Sequence, residues 1–174
     1  MEHLVGFGHR RIGFITGTLH VGSTHERLGG YRDGLIAAGI TLAAELVVPG
    51  DFLEPRGFEA TRELLALAER PTAIFASSDA AAIGALRAAR EAGLRVPEDL
   101  SIVGFDDVPE ASYVDPALST VRQPLREMGR SAVRRLMEML AEPDAPARRI
   151  VVATELVVRG STGPAPASTP AQHG

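Results

Sequence analysis

Oxygen-bearing side chains gather at four points along the 174 residues: Thr16-Gly17-Thr18, Asp51, Ser77-Ser78-Asp79 and Asp106-Asp107. Each group directly follows a short apolar, β-branched run. If those runs are parallel strands, all four groups emerge on one sheet edge, where ligands bind in open α/β folds. Carboxylates and hydroxyls converging on a crevice suit a polyhydroxylated ligand, because each charge-assisted hydrogen bond to a hydroxyl contributes roughly 1.5–3 kcal/mol. Arg27, early in the next helical segment, supplies matching donors.

Structural roles compete at each position. Asp79 opens a helix and can serve as its N-cap. Asp51, between Gly50 and Phe52, can merely shape a turn. Asp106 and Asp107 leave a strand as neighbours and point to opposite sides, so Asp106 is expected to face the crevice while Asp107 anchors the following loop through backbone amides.

Other chemistries find less support. Three or four carboxylates on one edge could hold magnesium, but all 18 basic residues are arginine and no Asp-x-Asp motif is present. The glycines at 6, 8 and 13 precede the first strand, whereas a dinucleotide-binding turn must follow one. No Gly-x-Ser-x-Gly elbow occurs, and His3, His9, His20, His25 and His173 lack a metal-ligand spacing, so each is expected on the surface or in a loop. Without cysteine there is no disulfide or thiol chemistry. The chain is therefore expected not to be an enzyme and to need no cofactor. A net charge of −4 with scattered charges argues against a phosphate-binding face. No basic leader or membrane-length apolar run is visible, which places the expected site of action in the cytoplasm.

The elements that must position these residues are legible as alternating units. Strands are expected at Ile12–Thr16, Glu45–Val48, Thr72–Ala76, Leu100–Phe105 and Leu118–Arg122, with two closing strands at Ile150–Ala153 and Leu156–Arg159. Helical periodicity carries Leu28, Tyr31, Leu35 and Ala38 on one face before Gly39, Phe58, Thr61, Leu64 and Ala68 within 55–69, Ile83 and Leu86 within 80–92, and Leu125, Met128, Ala132, Leu136 and Met139 within 125–140. From Gly163 the Pro/Ala/Ser-rich sequence reads as a disordered tail.

Several stretches resemble the LacI/GalR family of lactose- and galactose-type repressors: Gly8-His9-Arg10-Arg11-Ile12-Gly13, Arg27-Leu28-Gly29-Gly30-Tyr31, Arg70-Pro71-Thr72-Ala73-Ile74-Phe75-Ala76, the run from Gly93 to Asp107, Leu118 to Pro124, and Glu155 to Thr162. They span nearly all of residues 3–162. The resemblance implies an α/β fold, a parallel sheet flanked by helices, as in the C-terminal lobe of a type I periplasmic-binding-protein-like sensor. It implies a sugar or polyol effector held in a cleft, a homodimer, and control of operator DNA. By position it makes Arg27 an effector clamp, Asp106 a hydroxyl acceptor and Phe52 an aromatic wall. Ser78 stands before Asp79 where relatives often have asparagine, and Gln123 lies on the hinge side.

The sequence carries no helix-turn-helix and no first-lobe sheet, so the resemblance implies DNA contact only through a headpiece outside this chain. It divides the chain into a remnant of a preceding helix at 1–11, the effector lobe at 12–119, a strand and helix at 120–143 crossing toward the other lobe, closing strands at 144–162 and the tail at 163–174. The crossing segment is expected to lack its own sheet and to expose Leu125, Met128, Leu136 and Met139. A lobe of a periplasmic sugar-binding protein for transport is the competing reading.

Overall fold

In a computed structural model, which describes residues 1–142, 146 and 148–167, the chain forms one six-stranded sheet with helices on both faces. The strands are β1 (Ile12–Ile15), β2 (Val47–Val48), β3 (Ala73–Ala76), β4 (Ser101–Asp106), β5 (Ser119–Arg122) and β6 (Glu155–Val157). Their spatial order is β2-β1-β3-β4-β5-β6; the first five run parallel and β6 runs antiparallel to β5. The helices are α1 (Glu2–Gly6), α2 (Gly22–Ala37), α3 (Glu54–Leu65), α4 (Asp79–Glu91) and α5 (Leu125–Ala141).

Every residue of β1 and β3 is buried, as befits parallel strands covered on both faces. The two-residue period of a strand sends Ile15, Ile74, Ala76 and Ile102 to the face covered by α3 and α4. Ile12, Phe14, Phe75 and Val103 go to the face covered by α1 and α2, where Phe14 stacks on Tyr31 with ring centroids 4.9 Å apart. The Tyr31 hydroxyl donates to the Ile12 carbonyl at 2.8 Å, and burial pushes its pKa up to about 12. Gly39 and Gly93 follow α2 and α4 at φ +66° and +73°, the left-handed conformation that ends a helix most easily at glycine.

Three expectations are revised. β5 keeps a sheet, pairing parallel to β4 through Val103↔Ser119 to Asp106↔Arg122; only α5 leaves it, and none of its described residues is buried. Leu125, Met128, Leu136 and Met139 are exposed. Residues 150–153 form no strand, since a β-branched run needs a partner ladder and these residues instead pass beside α5, where Ile150 and Val152 share a concavity of about 380 Å³ with Met128, Leu136 and Met139. The packed chain also extends past 162: Gly163 is buried and the Ala165 amide donates to the Phe7 carbonyl at 2.8 Å. The expected tail over 168–174 lies outside the described residues.

His9 lies in the loop between α1 and β1, one of the two settings expected of it, but not on the surface. It is fully buried, with Nδ1 2.9 Å from Thr72 Oγ1 and Nε2 3.1 Å from both Ser101 Oγ and the Gly163 carbonyl oxygen. Three segments distant in sequence close around one imidazole, and burial depresses its pKa.

Candidate functional site

The sheet order reverses direction at β1, whose neighbours are β2 and β3. Loops leaving strands on either side of such a switch point separate and open a crevice at the carboxyl edge. Here that edge holds a concavity of about 420 Å³, lined by Ser23 and Arg27 of α2, Phe52 after β2, Ser78 before α4, Ala80 and Ile83 of α4, and Asp106, Val108 and Glu110 around the end of β4.

Arg27 is the centre of this group. Its guanidinium lies 3.9 Å from the Phe105 ring centroid and 5.5 Å from that of Phe52, so it is stacked between aromatic surfaces. One amino group donates to the Ser77 carbonyl, and the other lies 3.6 Å from Asp106 Oδ1. Burial lowers the arginine pKa and Asp106 opposes that shift. Asp106 itself is raised by burial, while Arg27 and the Gln123 amide, donating at 2.7 Å, work in the other direction. The result is a half-buried ion pair with one carboxylate face on the concavity, a combination able to accept from and donate to adjacent hydroxyls.

Three non-glycine residues around the site have positive φ. Phe52, Asp106 and Asp107 have φ of +73°, +125° and +59°, values that L residues other than asparagine and aspartate seldom adopt. Such conformations persist where surroundings over-determine them, and they cluster at functional sites. For Asp107 the surroundings are two arginines. Its carboxylate accepts from Arg122 Nε and from an Arg159 amino group, both at 2.6 Å. Burial alone would raise its pKa, but these hydrogen bonds outweigh it and the pKa falls. Asp107 thus anchors the loop as expected, through guanidinium groups instead of backbone amides.

The sequence-selected residues separate into two groups. Arg27, Phe52, Ser78 and Asp106 line one concavity, and Gln123 touches it through Asp106. Asp79 does not line it. With 0% of its surface exposed, its carboxylate is taken up inside the fold, accepting from Thr120 Oγ1 at 2.5 Å and from the Val108 amide at 2.9 Å. Nor is it the cap of α4, because that role belongs to Ser78, whose hydroxyl accepts from the Ala81 amide at 3.1 Å. Asp51 shapes a turn, accepting from the Leu53 amide at 2.9 Å.

Sequence reasoning missed Ser23, Ile83, Val108 and Glu110 as lining residues and Phe105 as the platform beneath Arg27. Strand alternation offered a signal for Phe105, since it shares the face of Val103, which α2 covers; nothing local marked the others. Among the described residues no three histidine or acidic side chains converge as a metal site, and no helix is long and apolar enough to cross a membrane.

A doubly covered, mainly parallel sheet with a polar crevice at its switch point defines a periplasmic-binding-protein-like lobe. Residues 1–162 match the periplasmic binding protein-like domain family, and the chain belongs to that family, in the form carried by LacI-type transcriptional regulators. The HTH-type transcriptional repressor CytR of Escherichia coli strain K12 is 40% identical over 162 residues, 93% of this chain and 48% of that protein. The ribose operon repressor of Haemophilus influenzae is 40% identical over 158 residues, 91% of this chain and 48% of that protein. Among solved structures, a complex of the transcriptional regulator CelR with cellobiose superposes with TM-score 0.88 at 41% identity, covering 92% of this chain and 49% of the other. The lac repressor dimer bound to operator and the anti-inducer ONPF gives TM-score 0.86 at 36% identity, covering 93% and 56%. The chain spans about half the length of the curated relatives it matches. These relatives are repressors.

Proposed function

We propose that this chain is the effector-sensing lobe of a cytoplasmic LacI-type regulator, binding a small sugar or polyol in the Arg27–Asp106 concavity and thereby modulating operator binding by a longer, homodimeric protein. DNA contact belongs to a headpiece outside this chain. The observation that carries the reading is the Arg27–Asp106 pair, with the Arg27 guanidinium packed on the Phe105 ring and near that of Phe52. Together with the Phe52 ring it offers a fixed donor, a charged acceptor and an apolar surface in one crevice, which are the three things a pyranose or furanose presents complements to. The CelR relative, in complex with cellobiose, supports a saccharide over other polyhydroxylated ligands.

The same geometry supplies a route from ligand to rearrangement. Gln123 donates to the carboxylate oxygen that faces Arg27, and it stands two residues before α5. A hydroxyl that takes the Oδ1 atom of Asp106 competes with Gln123, so occupancy of the crevice at that oxygen is felt at the stem of α5. A ligand shifts such an equilibrium only by its differential affinity for the two arrangements.

Thermal unfolding with a panel of neutral mono- and disaccharides tests the reading. A ligand at about 100 times its Kd stabilises the folded state by about 2.7 kcal/mol, and for a domain of this size each kcal/mol raises Tm by about 2–4 °C. Arg27→Ala should abolish the shift. If no saccharide at millimolar concentration moves Tm, or if Arg27→Ala responds like the parent, the concavity is not the effector site.

A further inference from the structure

Ser78 lines the concavity, yet its hydroxyl is already engaged on both sides. It accepts from the Ala81 amide at 3.1 Å and donates to the Phe52 carbonyl at 2.8 Å. With its only hydrogen committed, Ser78 has no donor to offer a ligand. The group it holds is the one whose backbone least resembles an ordinary aromatic residue, Phe52 at φ +73°.

Other contacts hold Phe52 in the same pose. The Asp51 carboxylate accepts from the Leu53 amide, closing an Asx turn across Phe52. The Phe52 ring lies directly on Gly17: a methyl there would sit 1.8 Å from Cζ and 2.2 Å from Cε1. Only glycine after β1 leaves room for the ring. The Arg27 guanidinium carbon lies 5.5 Å from the ring centroid.

We propose that Ser78 is a positioning residue and not a ligand contact: it ties the N-terminus of α4 to the Phe52 carbonyl and so pre-forms an aromatic wall against which the apolar face of a neutral saccharide stacks. This rests on the concavity being the effector site. Pre-forming the wall reduces the ordering that binding would otherwise require.

Fluorine NMR of the full chain labelled with fluorophenylalanine reads the wall without any ligand. The chain has six phenylalanines, and Phe52→Leu assigns the resonance. Ser78→Ala should shift and broaden the Phe52 signal, and Ser78→Thr, which keeps both hydrogen bonds, should restore it. Because Ser78 also caps α4, Ser78→Gly provides the folded control: glycine is a tolerable cap but has no hydroxyl. It should move the Phe52 signal as alanine does. In titrations with cellobiose and with ribose, whichever probe binds the parent should bind Ser78→Ala and Ser78→Gly about three- to tenfold more weakly, as expected for loss of one hydrogen bond, and Ser78→Thr normally. An unmoved Phe52 signal in both hydroxyl-less variants overturns the proposal, as does weaker binding without any change at Phe52, which would make Ser78 a direct contact. If no sugar of the saccharide panel binds the parent, the saccharide reading fails while the fluorine spectra still decide the role of Ser78.

Discussion

Replacing Asp79 separates a structural carboxylate from a ligand-binding one. Its two oxygens hold the Val108 amide on the loop after β4 and the Thr120 hydroxyl on β5, from a fully buried position on α4. Room for the carboxylate comes from Gly104 on β4, where a methyl would lie 2.2 Å from Asp79 Oδ1. Asp79→Ala leaves a part-buried amide and a buried hydroxyl without their acceptor, at about 1–3 kcal/mol each, so we expect a loss of roughly 2–6 kcal/mol. Asp79→Asn can accept from Val108 with its carbonyl and donate to Thr120 with its amide, and should cost only about 1 kcal/mol. Urea unfolding monitored by circular dichroism measures both, with the midpoint shifting at constant slope. Burial raises the Asp79 pKa against the opposing hydrogen bonds of Thr120 and Val108. The native state then binds more protons than the unfolded chain just above the ordinary carboxylate range, so this group's contribution to stability falls as pH rises through that window. Asp79→Asn should remove that component of the slope. An alanine variant within about 0.5 kcal/mol of the parent, the usual range for inconsequential surface changes, would refute the reasoning, as would an asparagine variant as unstable as alanine.

Gly84 on α4 faces the backbone of α3, where a methyl would lie 2.2 Å from the Glu54 carbonyl oxygen and 2.7 Å from the Phe58 nitrogen. Gly84→Ala should lower Tm by about 3–10 °C despite better helix propensity, whereas Gly29→Ala, with open space at that position of α2, should raise stability by about 0.5–1 kcal/mol. Burial depresses the His9 pKa, with the Gly163 carbonyl opposing and the neighbouring His3 adding to the effect. The unfolded chain therefore binds more protons below about pH 6.5, and stability should fall as pH drops from there; His9→Gln should flatten this part of a pH-dependent denaturation series. Arg27→Lys keeps the charge but loses the planar stack on Phe105, so saccharide-induced stabilisation should disappear while Tm without ligand changes little. A retained ligand shift in this variant would show that charge alone suffices.

Much of this arrangement is written locally. Alternating apolar runs and helical periods located five parallel strands and their helices, and a parallel sheet obliges everything after each strand to share one edge. That is why Arg27, Ser78 and Asp106, far apart in the chain, could be selected together, whereas Phe52 and Gln123 were marked only by the family resemblance. What each carboxylate or hydroxyl does there depended on partners no local pattern specifies. Asp107 meets Arg122 and Arg159, 15 and 52 residues away, and Asp79 meets Thr120, 41 residues away. His9, unremarkable in sequence, is enclosed by Thr72, Ser101 and Gly163. The two closing strands expected near the C-terminus became one, because strand propensity is realised only where an edge is free to pair. Periodicity sets which face of an element is buried, and that is a property of neighbours in sequence. Whether a polar group on that face serves a ligand or the fold is decided by which distant donor the packed chain brings within about 3 Å of it.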